Sequence, residues 1–359
     1  MRTNEELIEL VKKFSNAFGP SGFEDEVAQL ACHEVNQAFS THIDSLRNTY
    51  LTPKNNSKKK PLVWLDAHSD EVGLIIQAIH EQGTMDFLNL GGISPSSLPC
   101  NKVRIQTNEG HYVSGIISTT PPHFLNKNEA YRKPDINDFV LDIGASSKEE
   151  VENDFGVSMA NPAVFDVECT YNKRHDLFLG KAFDCRVGCA ALIETLNRLT
   201  EKELDVDIIG TLTSQEEVGE RGSKAAADII DADICICFEG CPADDTFTPA
   251  YKIQSALKKG PMLRHFDCSM ITNPHFQRYA LNIAKKHSIP VQESVRRGGG
   301  TNGGAIHCTR HGVPCIVIGI PVRYIHTSHC YCTLEDTLAA IQLATCIIET
   351  LNADVISQF

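Results

Sequence analysis

Two adjacent carboxylates, Glu216 and Glu217, stand in "SQEEVGERGS", directly after the apolar run of residues 206–212. Three other apolar runs end in a similar way. "PLVWLDA" leads into His68, with Asp70 two residues on; "DICICF" leads into Glu239; "VPCIVIGIPVRYI" leads into His326. Asp184, in "LGKAFDCRVGC", precedes a helix expected to begin near Arg186. Taken singly, each has a bland reading: a structural histidine, a solvated glutamate pair, an acid at a helix start. Gathered at one sheet edge, two imidazoles and several acids would repel or stay desolvated unless a cation joined them. Imidazole with carboxylate suits zinc and its first-row neighbours, and the lack of thiolate at these positions favours a catalytic site over a structural one. The donor count fits two ions about 3.5–4 Å apart, one carboxylate bridging and one histidine with one acid per ion. One acid is then left over to move protons, so one of the two adjacent glutamates can bind metal while its neighbour serves as base. In extended backbone, residues i and i+2 face the same side. Asp70 can therefore take the second N–H of His68 and hold the ring.

These residues need strand ends and loops to carry them. A first helix opens with the capping box Thr3-x-x-Glu6 and buries a stripe of Leu7, Leu10, Val11, Phe14 and Phe18, stopped by "GPSG". A second helix presents Val27, Leu30, Ala31 and Val35. Later segments alternate: a helix through Leu192, Leu196 and Leu199, strands over 206–212, 234–238 and 313–320, and a last helix opened by Thr333-x-x-Asp336. Strands alternating with helices predict an α/β fold, a central sheet with helices on both faces, and ligands beyond the carboxyl ends of its strands. Between about residues 72 and 164 the helical period fades into short β signals and turns, with one helix capped by Ser147. This reads as a small β domain inserted between 1–71 and 165–359.

Composition narrows the function classes. The 359-residue chain is 42% hydrophobic with a net charge of −13. Its basic block Lys58-Lys59-Lys60 reads as a loop, so nucleic acid is an unfavoured partner. The sequence shows no membrane-spanning run and no apolar signal core in "MRTNEELIELVKKF". Fourteen cysteines, mostly in apolar surroundings and without disulfide-framework spacing, point to a reduced cytoplasmic protein. Cys235/Cys237 and Cys330/Cys332 each form C-x-C, half of what a structural zinc site needs.

Rival chemistries are weaker. Gly298-x-Gly300-x-x-Gly303 matches a dinucleotide fingerprint, but the acid expected about twenty residues later is missing, so backbone approach to a substrate explains the glycines better. A glycosidase needs two carboxyls and no metal, which leaves both histidines idle. Arg296, Arg297 and Arg323 are available to select acidic side chains, though a surface or structural role is the simpler reading of each.

"AHSDEVGLII", "GKAFDCRVGCAALIE", "SQEEVGERGS", "GGGTNGGAIH" and "IPVRYIHTSH" resemble, in order, the motifs of the tetrahedral (TET) and glutamyl aminopeptidases, and "LGGISPSSLPCNKVRIQT" resembles their inserted β domain. The resemblance implies a dizinc exopeptidase, with cobalt or manganese as other divalent ions, a PDZ-like β-barrel insert and a homo-oligomer, commonly a dodecamer, that acts on peptides. It implies that His68 and Glu239 hold one ion, Glu217 and His326 the other, and Asp184 both. Glu216 would be the general base, Asp70 would orient His68, and the peptide bond after Asp184 would be cis. Three positions depart from the family pattern: Glu239 replaces an aspartate, Cys185 a second aspartate, and Asn302 an acid. They keep a second reading open, a member without catalysis that binds peptides as a scaffold.

Overall fold

The structure is a computed structural model that describes residues 2–124, 132–310 and 312–359. Seventeen strands are described: β1 (Phe39–Ile43), β2 (Thr49–Pro53), β3 (Leu62–His68), β4 (Gly73–Ile79), β5 (Met85–Leu90), β6 (Lys102–Gln106), β7 (Tyr112–Thr119), β8 (Phe139–Asp142), β9 (Pro162–Phe165), β10 (Thr170–Asn172), β11 (Leu177–Gly180), β12 (Asp207–Thr213), β13 (Ile234–Pro242), β14 (Met262–Phe266), β15 (Gln292–Val295), β16 (Cys315–Val322) and β17 (Cys330–Cys332). Eight form one mixed sheet in the order β1-β2-β12-β3-β13-β16-β14-β15. The strands β12, β3, β13 and β16 at its centre run parallel. Buried on both faces, they read as near-continuous apolar runs rather than alternating ones.

Helices cover both faces. Asn4–Asn16 starts at the Thr3 capping box and buries Leu7, Leu10, Val11 and Phe14. Phe18, counted with that stripe, lies beyond the helix end but is buried all the same. With helices Phe183–Leu199, Pro274–Lys286 and Leu334–Thr350 it builds the larger core. On the opposite face, Ala226 and Ala227 of helix Arg221–Ile229 and Ile306 of helix Asn302–Ile306 pack with Trp64, Cys235, Cys237 and Cys315. The thiols of Cys235 and Cys237 lie 3.7 Å apart inside that apolar layer. No metal-type cluster includes them or Cys330 and Cys332 among the described residues.

Between β3 and β10 the chain forms a closed antiparallel barrel, β4-β5-β8-β7-β6-β9, around its own core of Leu74, Ile76, Val103, Ile105, Leu141 and Phe165. Closure removes the strand edges that a small sheet would expose. Ser147 caps helix Lys148–Asn153 beside it. Where the chain leaves the sheet for the barrel, Glu71 is buried against the Lys181 ammonium (2.6 Å) and Arg186 Nη2 (3.3 Å). Arg186 also donates to the carbonyls of Phe14, Ala17 and Gly19, which ties the first helix to this crossing.

Candidate active site

Each sequence-selected residue arrives by its own element. His68 is the last residue of β3, and Asp70 follows it into the barrel crossing. Glu216 and Glu217 lie in the turn after β12. Glu239 sits inside β13, which runs on to Pro242, rather than past the end of a strand at 238 as its sequence indicated. The extension comes from pairing: residues 239–242 lie beside 319–322 of β16. His326 follows β16 in a turn with φ +60°. Asp184 occupies a non-helical step ahead of regular helix, followed by a cis bond to Cys185. Gly240 makes room for that step, since a Cβ there would lie 2.5 Å from the Phe183 carbonyl oxygen.

His68, His326, Glu217 and Glu239 gather around Asp184, with Glu216 and Asp70 beside them. Asp184 Oδ1 lies 2.9 Å from His68 Nε2 and its Oδ2 lies 3.1 Å from His326 Nε2. His68 Nε2 is also 3.3 Å from Glu239 Oε1 and 4.0 Å from Glu216 Oε2. His326 Nε2 is 3.3 Å from Glu217 Oε1, an atom with no aligned hydrogen bond. The result is three overlapping donor groups: His68, Asp184 and Glu239 with Cys185 on one side, Asp184, Glu217 and His326 on the other, and His68, Glu216 and Glu217 between them. The Cys185 thiol belongs to the first group, a neighbour that reading strand ends did not supply. It donates to the Phe238 carbonyl at 3.3 Å, and burial pushes its pKa well up, so it stays a neutral thiol.

The electrostatics show how crowded this is. Burial raises the proton affinity of Glu216 well above the usual carboxylate range and that of Glu239 to about 8, with Glu239, Glu217 and Asp184 adding repulsion on Glu216. Burial also opposes charge on the histidines. The surrounding acids outweigh it, holding His68 well above its ordinary value and His326 at about 11. Burial opposes charge on Asp184 too, but the hydrogen bonds from His326 and His68 hold its pKa far below normal. A buried set of this kind is satisfied by shared protons or by cations that neutralise the acids. Its composition, imidazole and carboxylate in overlapping groups, fits two divalent ions.

The two histidine rings are oriented differently. His326 Nδ1 is 2.9 Å from the carbonyl oxygen of Gly92, in the loop after barrel strand β5. A proton kept on Nδ1 by that carbonyl would free the Nε2 lone pair for an ion once Nε2 gives up its own proton. His68 Nδ1 is 3.3 Å from Asp70 Oδ1, out of line for a full hydrogen bond. The carboxylate of Asp70 is occupied elsewhere: Oδ1 accepts the Glu216 N–H (2.9 Å), and Oδ2 accepts the Glu217 N–H (3.1 Å) and the Ser21 hydroxyl (2.6 Å). Asp70 thus holds both glutamates by their backbone as well as facing His68.

Several residues of this region had no chemical reading in the sequence. Glu24, the residue before the second helix, is fully buried and accepts the Gln215 N–H at 3.0 Å; burial and the Asp70 charge raise its pKa to about 8. Asp66, on the same strand face as His68, accepts from Thr211 (2.6 Å), Thr213 (3.1 Å) and Asn302 (2.7 Å). The alternation Asp66-x-His68-x-Asp70 was the available signal for it. The same contacts account for Asn302, where an acid would face a buried carboxylate and an amide can donate to it.

The site opens into a cavity of about 460 Å³, lined in part by Glu216, Glu239, Arg264, Arg296, Gly299 and His326. Gly298 and Gly300 line it too, so the glycine fingerprint borders this site. Arg264 is paired with Asp267 at 2.8 Å. Arg296 has its nearest carboxylate, Asp244, at 3.9 Å, and its Nε and Nη2 have no hydrogen-bond partner. Arg323 is held by Asp245, and Arg297 is exposed. A cleft of about 540 Å³ near Lys60 and Asp205 includes none of the clustered acids or histidines.

Known proteins share this sequence pattern and fold. The sequence profile of the M42 glutamyl aminopeptidase family matches residues 48–343. The lysyl aminopeptidase of Pyrococcus furiosus is 31% identical over 352 residues, covering 96% of this chain and 97% of its own. A TET aminopeptidase from a marine sediment Thaumarchaeota archaeon superposes with a TM-score of 0.93 at 34% identity, over 99% of both chains. The TET1 peptidase of Pyrococcus horikoshii, which can assemble into a tetrahedron or a large octahedral shell, gives 0.85 at 28% identity over 96% of this chain and 100% of its own. With a profile match over most of its length and a full-length relative above 30% identity, this chain belongs to the M42 glutamyl aminopeptidase family, as an aminopeptidase of that family.

Proposed function

We propose that the enzyme is a dizinc aminopeptidase in which His68 and Glu239 bind one ion, Glu217 and His326 the other, and Asp184 both. The observation that carries this reading is the two-sided contact of Asp184 with the histidines, 2.9 Å on one oxygen and 3.1 Å on the other. Divalent ions held there would supply a Lewis acid to polarise a carbonyl and lower the pKa of water. The protein supplies the remainder. Glu216, half-buried and 4.0 Å from His68, would take a proton from the attacking water and return it to the leaving amine. Asp70 fixes the Glu216 and Glu217 backbone. The three family departures support catalysis over a scaffold role, because none removes a donor: Glu239 reaches His68, the Cys185 thiol turns to a carbonyl, and Asn302 bonds to Asp66.

The same reading gives a substrate preference. Arg296 lines the cavity, and its guanidinium, 3.9 Å from Asp244, brings a positive charge that suits an acidic side chain at the substrate N-terminus. The β domain of residues 72–164 would shape access and assembly, and the chain would self-associate as the TET1 peptidase does. No helix among the described residues is long and apolar enough to cross a membrane, and the fourteen free thiols suit a reducing cytoplasm.

The test is a panel of aminoacyl-p-nitroanilides on protein of measured metal content, with and without chelator. Activity should vanish with chelator, return with zinc or cobalt, and be highest on glutamyl and aspartyl substrates. Arg296→Ala should raise KM for the acidic substrates about tenfold or more and leave neutral ones nearly unchanged. Activity indifferent to chelator would end the metallopeptidase reading.

A further inference from the structure

The turn that carries Glu216 and Glu217 is held in an unusual way. Four consecutive backbone N–H groups donate to side chains drawn from three distant segments. Ser214 donates to Asn48 Oδ1 at 2.9 Å, Gln215 to Glu24 Oε1 at 3.0 Å, and Glu216 and Glu217 to the two oxygens of Asp70 at 2.9 and 3.1 Å. Asn48, Glu24 and Asp70 are fully buried. Gln215, at the middle of this run, has φ +54°, left-handed backbone that a residue with a Cβ rarely adopts. Such a conformation persists only where the surroundings enforce it. Glu24 is the group placed to do so: its Oε1 also accepts the Gly22 N–H at 2.7 Å, which anchors it to its own loop. Ser21, in that same loop, hydrogen-bonds Asp70 at 2.6 Å, so the two clamping carboxylates share one support.

We infer that Glu24 is a positioning residue for the reaction: by accepting the Gln215 N–H it holds the left-handed step that aims Glu216 and Glu217. Glu24 touches neither substrate nor metal donors and acts only through the turn. The inference rests on the proposed role of Glu216. A purely structural Glu24 would alter stability and leave turnover by the folded fraction intact. Misplacing a catalytic group by about 1 Å costs on the order of a hundredfold in rate.

The experiment compares metal-loaded wild type with Glu24→Gln, Glu24→Ala and the double variant Glu24→Ala/Gln215→Gly, on an aminoacyl-p-nitroanilide the wild type hydrolyses. Glu24→Ala should lower kcat about a hundredfold with KM within about twofold. Glu24→Gln keeps an acceptor oxygen and should stay within about threefold of wild type. Gln215→Gly should recover about tenfold or more of the Glu24→Ala loss, because glycine takes positive φ without the Cβ penalty. Should Glu24→Ala fail to fold, Glu24→Asp, one methylene short of the turn, replaces it with an expected fall in kcat of about tenfold. Hydrogen exchange supplies a readout independent of activity: the Gln215 amide, protected in wild type, should exchange faster in the Ala or Asp variant. Unchanged kcat in the Ala or Asp variant, a Gln variant as impaired as Ala, or no rescue by Gln215→Gly would each overturn the inference. A wild type inactive on every aminoacyl substrate would instead remove the aminopeptidase mechanism, and the exchange comparison would still judge the clamp.

Discussion

The two halves of the donor cluster are built to different standards. His68 ends a central strand paired on both sides, and its side chain is 1% exposed. His326 follows a strand in a positive-φ turn, 33% exposed, its ring steadied by one carbonyl of the loop after β5. An ion beside His68 would sit among groups fixed by sheet hydrogen bonds, whereas one beside His326 would depend on two loops keeping register. The same ligand chemistry should therefore give a tight, slowly exchanging position and a weaker, faster one.

The strongest test of the chemistry that the two halves are meant to share is Glu216→Gln. It should keep both ions and the fold while turnover falls by about 10²–10⁴-fold, read from kcat and metal analysis. Unchanged turnover would remove Glu216 from the mechanism. The contrast itself is tested by His68→Ala and His326→Ala. We expect the first to lose bound metal at both positions and the second to keep about one ion per chain at micromolar free zinc, measured by elemental analysis after dialysis. Equal losses would erase the distinction. Asp70→Asn keeps a similar shape but swaps one acceptor for a donor facing the Glu216 or Glu217 N–H. It should weaken metal affinity by about 10–100-fold. The smallest effect is on pH. In the metal-free protein Glu239 carries a proton up to about pH 8 and His326 up to about 11. Each must give it up to bind an ion, so zinc affinity should rise with pH across that range, seen as proton release in calorimetry at two buffer ionisation enthalpies.

The same contrast separates what could be read from the sequence from what could not. His68, Glu216, Glu217 and His326 were legible because each follows a long apolar run, and strand ends are where an α/β sheet presents its chemistry. The first helix was legible to its cap, Thr3, because capping is a local interaction between residues three apart. Glu239 was found but misplaced, since a strand's end depends on its partner and β16 extends the pairing to Pro242. Glu24, Asn48 and Asp66 act across 191, 166 and 145 positions of sequence, on Gln215, Ser214 and Thr211. No local pattern encodes such distances; only Asp66, two residues before His68 on one strand face, had a neighbouring signal, and a buried acid near a helix start looks like any other. Cys185 joined the cluster through a backbone step at Asp184 that residue spacing does not announce.

One contact ties the fate of the two architectures together. The carbonyl of Gly92 sits in the loop that follows barrel strand β5, yet it is the hydrogen-bond partner of His326. The barrel is thus no detachable accessory. A shortened chain with β4 to β9 replaced by a tight turn would retain its sheet and lose the anchor of one imidazole, and a subunit contact that tilted the barrel would be felt first at that ring.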